Sequence, residues 1–463
     1  MVFSSMVFVC IFLPLTFGFH CILPGIKAKN AMLVIASVLF YAYGEPVYVV
    51  LLLASAFLNY LCALAVKRFC YKRLILILTV IWNLAILIIF KYTGFIVEMI
   101  NSISGFSISV PVIRMPIGIS FFTFQAMSYV IDVYRGVTRE QKSFGKVLLY
   151  ISFFPQLIAG PIVKYHDIEQ EINSRTQSIQ GISMGIRRFI AGLCKKVLIA
   201  NTMGMAADTL FSAGNARINM LAAWIGAVSY MLQIYFDFSG YSDMAIGLGW
   251  MFGFHFKENF NYPYISANIQ EFWRRWHISL SGWFQEYLYI PLGGNRKGKV
   301  RTVANKMIVF LCTGIWHGAS LNFVFWGAYH GFFLLLEEYI PAIRRKGGAL
   351  KTLFQHLYAL LTVCVGFVFF RAETMQEGCL WVKMMFTGFQ KNTEAMSLAV
   401  QQLTPVYLVT FGAAVAASLP VKKIFQKKPF YEPLSYVLSM IGLILCILSL
   451  ASGTYNPFIY FRF

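Results

Sequence analysis

The stretch MIVFLCTGIWHGASLNFVFWGAYHG (307–331) contains no Asp, Glu, Lys or Arg, and its first part, up to His317, is strongly apolar. A helix needs about 20 mainly apolar residues to cross the hydrocarbon core of a bilayer. Several segments of the chain reach that length, and many shorter apolar runs are interrupted by Gly, Pro or polar residues. The pattern predicts an all-α polytopic membrane protein with roughly eight to twelve membrane helices, some of them re-entrant or interfacial.

The composition of the 463-residue chain supports the same fold class. Hydrophobic residues make up 58% of it and charged residues only 13%, which excludes a dispersed soluble protein. The net charge is +20, but the basic residues cluster between apolar runs, so they fit a surface of membrane lipid better than nucleic acid.

The chain shows no low-complexity linker and no internal repeat, which predicts a single membrane domain over residues 1–463. Within it, N-terminal helical hairpins (1–112) and C-terminal helices (336–463) flank a core (113–335) rich in Trp, His, Asp, Asn, Arg and Gly. Because polar side chains are costly in lipid, we expect the function to lie in this core.

The positions of the basic loops predict how the chain is oriented in the membrane. If the N-terminus lies outside, the first apolar run (3–24) delivers Lys27 and Lys29 to the cytoplasm, and the basic loops within 67–73 and 135–146 follow on the same side. No Lys or Arg precedes the first run, so we expect a retained helix rather than a signal peptide. The prediction is a multi-pass protein of the cell (inner or plasma) membrane with its N-terminus outside.

Two of the seven histidines, His277 and His317, each follow a tryptophan, in FWRRWHISLSGWF and LCTGIWHGAS. Imidazole is well suited to remove a proton from a hydroxyl near neutral pH, as acyl transfer to an alcohol requires. A satisfied core histidine is the open alternative. No His, Cys or carboxylate spacing predicts a metal site. On one continuous helix, His330 would lie about 220° around from His317, so the two would face different ways.

Two carboxylates, Asp237 and Asp243, lie among apolar residues in QIYFDFSGYSD (233–243). Six residues correspond to about 240° on a helix, so they do not form an evident acid–base pair. We expect them, together with Tyr241 and Asn268, to provide polar support within the membrane.

Cations flank His277 in the sequence. The phosphates of a donor such as a coenzyme A thioester would need cations, whereas an inside loop facing lipid headgroups explains them equally well. These residues are Arg274, Arg275, Arg296, Lys297, Lys299 and Arg301. Nucleotide-binding loops and the GxSxG elbow do not occur, so nucleotide hydrolysis and a serine nucleophile have no support.

Four ordered motifs resemble the membrane-bound O-acyltransferase (MBOAT) superfamily. They are FFPQLIAGPIVKY (153–165), YFDFSGYSDMAIGLGWMFGF (235–254), NFNYPYISANIQEFWRRWHISLSGWFQEYLYIPLGGNRKG (259–298) and IWHGASLNFVFWGAYHG (315–331). The closing NPFIYFRF (456–463) extends the resemblance over almost the whole chain. The motifs look closest to the bacterial branch that modifies alginate, peptidoglycan and teichoic acid, and their ordered combination is far more specific than either histidine.

The resemblance implies about eleven membrane helices around a central funnel, with an essential histidine at the position of His317 and a second one at His277. It implies O-acetylation of an extracellular or cell-wall polysaccharide from a cytoplasmic donor, acetyl-CoA or another acyl thioester, without a bound cofactor. A separate extracytoplasmic SGNH-type acetyltransferase is the expected partner. Trp273, Trp276 and Trp316 would wall the channel, and Arg274, Arg275, Lys297 and Arg301 would hold the donor.

Three other functions remain open. D-alanyl or another acyl group could replace acetyl, because the branches share much of their sequence. A transporter or flippase of a polymer precursor would also have interrupted helices and buried charges. Against it, the two halves lack corresponding broken helices, and the WRRWH and WHG motifs would be unexplained. A structural subunit that only recruits the transferase predicts that both histidines can be lost without effect.

Overall fold

The computed structural model describes residues 1–111, 113–214, 218–345, 347–389, 392–453 and 455–459. Within these ranges every regular element is a helix, which confirms the all-α prediction. The α-helices are α1 Leu13–Ile22, α2 Gly25–Gly44, α3 Val49–Arg68, α4 Lys72–Leu87, α5 Thr93–Ser104, α6 Ile119–Arg135, α7 Phe144–Ser152, α8 Phe154–Leu157, α9 Tyr165–Asn173, α10 Ile179–Cys194, α11 Asn201–Phe211, α12 Met220–Phe252, α13 Ile269–Arg275, α14 Ile278–Phe284, α15 Gly298–His317, α16 Leu321–Tyr339, α17 Ala349–Arg371, α18 Met375–Thr387, α19 Thr393–Gln402, α20 Pro405–Ser418, α21 Val421–Phe425 and α22 Tyr431–Ala451.

Several helices continue one another through short π-helical turns, for example Ile88–Tyr92 and Lys195–Ala200. In the described ranges, seven helical runs are long and apolar enough to cross a bilayer: α2, α3, α4–α5, α10–α11, α12, α17 and α22. The pair α19 and α20, bent by 66°, would make an eighth. These runs confirm a polytopic membrane protein; the count of about eleven helices and the outside N-terminus stay predictions.

The spans differ in how much of their surface the protein itself covers. In α12, 78% of the most apolar window is buried, whereas in α22 the figure is 11%. The sequence explains the contrast, because α12 carries Gly, Ser, Asp and Gln while α22 is mainly Leu, Ile and Ser. Polar groups of a membrane helix must find protein partners, so α12 is enclosed by protein and α22 faces lipid.

The chain packs as two compact units, residues 1–189 with 241–257 and residues 190–240 with 258–463. In the first unit, α3 and α4 are joined by a pair of side-chain amides. Asn59 Nδ2 donates to Asn83 Oδ1 at 3.2 Å, and Asn83 Nδ2 donates to Asn59 Oδ1 at 2.9 Å. Such reciprocal hydrogen bonds satisfy polar groups that would otherwise face hydrocarbon. The single-domain assignment with its three regions stays a prediction.

In the second unit, α15 and α16 form a tightly packed antiparallel hairpin that turns at residues 318–320. A Cβ atom added to Gly314 would lie 2.2 Å from the carbonyl oxygen of Phe323 and 3.2 Å from the Cα of Gly327. A Cβ on Gly327 would lie 2.4 Å from the carbonyl oxygen of Phe310. Small residues let the two backbones touch, the usual way in which membrane helices associate.

We expect Gly314→Ala to lower the free energy of unfolding by about 1–3 kcal/mol or more, because the added methyl group meets backbone that cannot rotate away. Thermal unfolding of the purified protein in detergent measures the effect. Gly412→Ala is the matched control, since no atom lies within 4 Å of the added methyl on α20. Equal unfolding temperatures for the two variants would contradict the close approach of α15 and α16.

Residues 258–297 contain only short elements and no candidate span. Their first helix, α13, is fixed at the N-terminus by two side chains. Asn268 Oδ1 accepts a hydrogen bond from the Glu271 backbone N–H at 2.8 Å. The Glu337 carboxylate of α16 accepts hydrogen bonds from the backbone N–H groups of Ile269 and Gln270 at 2.5 and 2.9 Å. A carboxylate and a cap at this end satisfy otherwise unpaired donors and complement the helix dipole.

Candidate active site

His277 occupies the sharp bend between α13 and α14. Its backbone has φ 45° and ψ 53°, the left-handed conformation that residues other than Gly rarely adopt. The bend is held by the surrounding chain, because the Ile278 N–H donates to the Asn259 carbonyl at 2.9 Å. Strain of this kind persists only where neighbouring structure enforces it, and it is concentrated at functional sites.

The side chain of Asn259 orients the imidazole of His277. Asn259 Oδ1 accepts hydrogen bonds from the N–H and Oγ of Ser279 at 3.1 and 2.9 Å, and lies 3.2 Å from His277 Nδ1. Since a backbone N–H can only donate, the shared atom is an oxygen, so His277 Nδ1 carries the hydrogen and donates. This tautomer leaves the lone pair on Nε2. His277 lies outside the candidate spans, and burial lowers its pKa to about 3, so the ring is neutral near pH 7.

His317 is the last residue of α15 and is 7% exposed. Three aromatic rings surround its imidazole, with centroid distances of 5.0 Å to Trp316, 5.2 Å to Trp326 and 5.1 Å to Phe370. All three contacts are edge-on. The ring is therefore held in an apolar, largely water-free setting, where the hydrogen bonds of a reacting group are stronger than in water.

Both predicted histidines line one cavity, although they lie 40 residues apart in the sequence. Among the described residues, its walls are apolar apart from the two imidazoles. The lining residues are Ile234, Phe238, Trp276, His277, His317, Trp326, Phe367, Phe370 and Ile459. Two imidazoles in a mainly apolar cavity can exchange a proton with a bound hydroxyl while excluding bulk water. The funnel implied by the resemblance stays a prediction.

The three predicted tryptophans take different positions. Trp276 lines the cavity. Trp316 packs between the histidines, with ring centroids 6.2 Å from His277 and 5.0 Å from His317. Trp273 packs against the lining residue Trp326, with ring centroids 5.6 Å apart, and does not line the cavity itself.

The position of His330 differs from the expectation for a continuous helix. Because the chain reverses after His317, α16 brings His330 back to the same aromatic cluster. The Trp326 ring contacts both imidazoles, with centroid distances of 4.9 Å to His330 and 5.2 Å to His317. His330 is 1% exposed and also packs against Trp273 at 5.2 Å. Its burial behind Trp326 fits a packing role.

The predicted donor-binding cations are not equivalent. Arg275 forms a salt bridge with Glu271 at 2.8 Å, whereas Arg274, Lys297 and Arg301 are exposed. Lys297 and Arg301 lie at the start of α15 and His317 at its end; at 1.5 Å per residue the two cations are about 30 Å and about 24 Å from His317 along the helix. A donor that contacts both must be long and extended. The donor-binding role of these residues stays a prediction.

The polar residues predicted to support the site lie in separate units. Asp237 forms an ion pair with Lys196 at 2.9 Å in the second unit. Asp243 pairs with Arg188 at 2.8 Å in the first unit. With each carboxylate bound to its own cation, the two do not act as an acid–base pair, as the helical spacing indicated. Tyr241 stacks on Phe3 at a ring-centroid distance of 4.5 Å in the first unit, and Asn268 caps α13.

Sequence reasoning missed Asn259 and six of the residues that line the cavity: Ile234, Phe238, Trp326, Phe367, Phe370 and Ile459. The Phe238 ring lies 4.6 Å from the His277 ring. The motifs that carry the resemblance contain Asn259, Phe238, Trp326 and Ile459, which was the available signal, but not Ile234, Phe367 or Phe370. No spacing rule connects any of these residues to either histidine. Residues 460–463 of the closing motif lie outside the described residues.

The fold and the site define a polytopic membrane protein with two buried imidazoles in a shared aromatic cavity. Residues 66–359, more than half of the chain, match the family described as "MBOAT, membrane-bound O-acyltransferase family". The chain belongs to the membrane-bound O-acyltransferase family and is an O-acyltransferase.

Curated relatives agree with this assignment. The chain is 38% identical to the probable alginate O-acetylase AlgI of Pseudomonas putida, over 100% of both proteins. It is 43% identical to the probable alginate O-acetylase AlgI of Pseudomonas aeruginosa, over 84% of this chain and 75% of that protein. It is 37% identical to the peptidoglycan O-acetyltransferase of Helicobacter pylori, over 83% of this chain and 80% of that protein.

Proposed function

We propose that this enzyme O-acetylates a polysaccharide of the cell envelope or extracellular matrix, taking the acetyl group from acetyl-CoA on the cytoplasmic side. The observation that carries the proposal is the shared cavity of His277 and His317 in a chain with these relatives. Relatives named for alginate and for peptidoglycan acetylation favour acetyl as the acyl group and a polysaccharide as the acceptor.

In the proposed reaction, His317 is the general base. It accepts the proton of an acceptor hydroxyl while that oxygen forms a bond to the thioester carbonyl carbon. The carbon–sulfur bond then breaks, and the proton passes to the departing thiolate, so that the products are an ester and a free thiol. The aromatic rings around His317 exclude water, which would otherwise hydrolyse the thioester.

His277 is proposed to position the donor or to share the proton. Its hydrogen bond to Asn259 fixes the ring and leaves the Nε2 lone pair as an acceptor. A neutral imidazole can accept a hydrogen bond from a hydroxyl without the cost of a buried charge. The two histidines would therefore act on the same bound hydroxyl from different elements, α15 and the bend between α13 and α14.

The donor and the partner follow from chemistry and from the resemblance. Exposed Arg274, Lys297 and Arg301 are suitable for the phosphates of coenzyme A, because guanidinium and ammonium groups bind phosphate at an aqueous surface. A separate extracytoplasmic SGNH-type acetyltransferase would pass the acetyl group to the polymer.

The proposal is tested with permeabilised cells of the native host, which retain all partners, supplied with radiolabelled acetyl-CoA in the presence of an uncoupler. We expect label in the exported polysaccharide that mild alkali releases, and none in a strain lacking this gene. Label that requires an ion gradient would indicate a transporter. If the polysaccharide took up label only when radiolabelled D-alanyl carrier replaced acetyl-CoA, the assignment of acetyl as the transferred group would be wrong.

A further inference from the structure

The segment Tyr455–Ile459 follows the last helix and reaches the interior of the second unit. Its last two residues are almost fully buried, with Phe458 4% and Ile459 3% exposed. Ile459 lines the cavity together with His277 and His317. The cavity wall therefore includes a side chain that does not belong to α1–α22, and the proposed reaction assigns it no role.

A buried ion pair holds this segment in place. The Ile459 N–H donates to Asp237 Oδ2 at 2.7 Å, while Asp237 Oδ1 lies 2.9 Å from Lys196 Nζ. Lys196 Nζ also donates to the Pro457 carbonyl and, at 2.8 Å, to Asn201 Oδ1. Asp237 and Lys196 are 1% and 2% exposed. Charges so deeply buried are tolerated only when their hydrogen-bonding capacity is satisfied, and the segment provides part of it.

Two further contacts fix the start of the segment. Asn201 Nδ2 donates to Asn456 Oδ1 at 3.2 Å. The Tyr455 hydroxyl donates to Asp208, whose carboxylate also binds Arg371 at 2.9 Å. Four of the five residues of the segment are therefore hydrogen-bonded to the second unit through backbone or side-chain atoms.

We propose that Ile459 limits the length of the acyl group that the cavity accepts, and that Asp237 and Lys196 are positioning residues that act through residues 457–459. The inference rests on the proposed function. Among the described lining residues, Ile234 and Ile459 are the two aliphatic side chains, and the others are aromatic rings and the two imidazoles. Shortening it enlarges the space available to an acyl chain without removing a ring that packs against a histidine.

The experiment compares the rates of propionyl and acetyl transfer from the two acyl-CoAs in permeabilised cells of the native host. We expect Ile459→Ala to raise the propionyl-to-acetyl ratio about 10-fold, since one methylene in an apolar pocket changes discrimination by about 10-fold or more. Ile459→Val, which deletes a single methyl group, should give a smaller rise in the same direction. Ile444→Ala, on the lipid-facing helix α22, is the control and should leave the ratio unchanged.

The positioning role is tested with the double variant Lys196→Met, Asp237→Leu. It removes the ion pair without leaving an unpaired buried charge, which a single replacement would do. We expect slower acetyl transfer and a raised propionyl-to-acetyl ratio, because the segment loses its attachment. A merely structural role would lower both rates equally and leave the ratio as in wild type.

The outcomes distinguish the proposed function from the roles of Ile459 and of the Asp237–Lys196 pair. Absence of acetyl transfer by wild type would refute the proposed function. Normal acetyl transfer by wild type with an unchanged ratio in Ile459→Ala and Ile459→Val would overturn the role of Ile459. If Ile459→Ala does not accumulate in the membrane, the ratio of Ile459→Val alone decides. A raised ratio in the Ile459 variants with an unchanged ratio in the double variant would overturn the role of Asp237 and Lys196.

Discussion

Replacing His317 with Ala should lower acetyl transfer to the polysaccharide by at least about 100-fold, because a positioned general base contributes about 10²- to 10⁴-fold to such a reaction. His317 lines the cavity and is surrounded by the rings of Trp316, Trp326 and Phe370. Among the described residues that line the cavity, only His277 shares with His317 the capacity to accept a proton near neutral pH. The measurement is the ester content of the exported polysaccharide, with the amount of protein in the membrane determined in parallel.

Two variants exclude trivial explanations for this loss. His317→Gln keeps a side chain of similar size and should be equally inactive, which separates loss of the base from a cavity left in the aromatic cluster. His255→Gln should retain normal activity, because His255 is exposed and hydrogen-bonded to Glu171 in the other unit. Acetylation near wild-type levels in both His317 variants would show that another group removes the proton.

The second large effect is expected at His277. His277→Asn should lower kcat/KM for acetyl-CoA by about 100-fold while the unfolding temperature stays at or above that of wild type. Asn adopts the left-handed conformation more readily than other residues with a side chain, so the bend at φ 45° is retained and only the imidazole is lost. The experiment combines initial rates at varied acetyl-CoA with thermal unfolding.

His277→Ala completes the comparison. Alanine in a left-handed conformation costs about 1–2 kcal/mol, so this variant should be both inactive and less stable. If His277→Asn retained normal kcat/KM, the imidazole would have only a structural role, and the reaction would depend on His317 alone. A rise in KM with unchanged kcat would instead assign His277 to donor binding.

The all-α membrane fold and the two histidines could be predicted from the sequence because their signals are local. Apolar runs of about 20 residues identify spans without knowledge of the neighbours. The tryptophan–histidine pairs at 276–277 and 316–317 identified both imidazoles that line the cavity.

Predictions that required knowledge of the chain path were incomplete. The turn at residues 318–320 brings His330 back to Trp326, which no helical-wheel argument across His317 could indicate. Arg275 appeared available for phosphate but pairs with Glu271. Asn259 orients His277 from 18 residues away in the sequence, and no periodicity relates the two.

The amino-acid sequence by itself indicated that this protein lies in lipid, that it is helical and that two tryptophan–histidine pairs are candidates for its site, because hydrophobicity and side-chain chemistry are properties of single residues and short runs. Only the tertiary structure decided which groups share a cavity: Ile459 reaches the histidines because its backbone N–H binds Asp237 from a position 222 residues away. Such a contact depends on the packing of distant helices, and no local pattern in the chain encodes it.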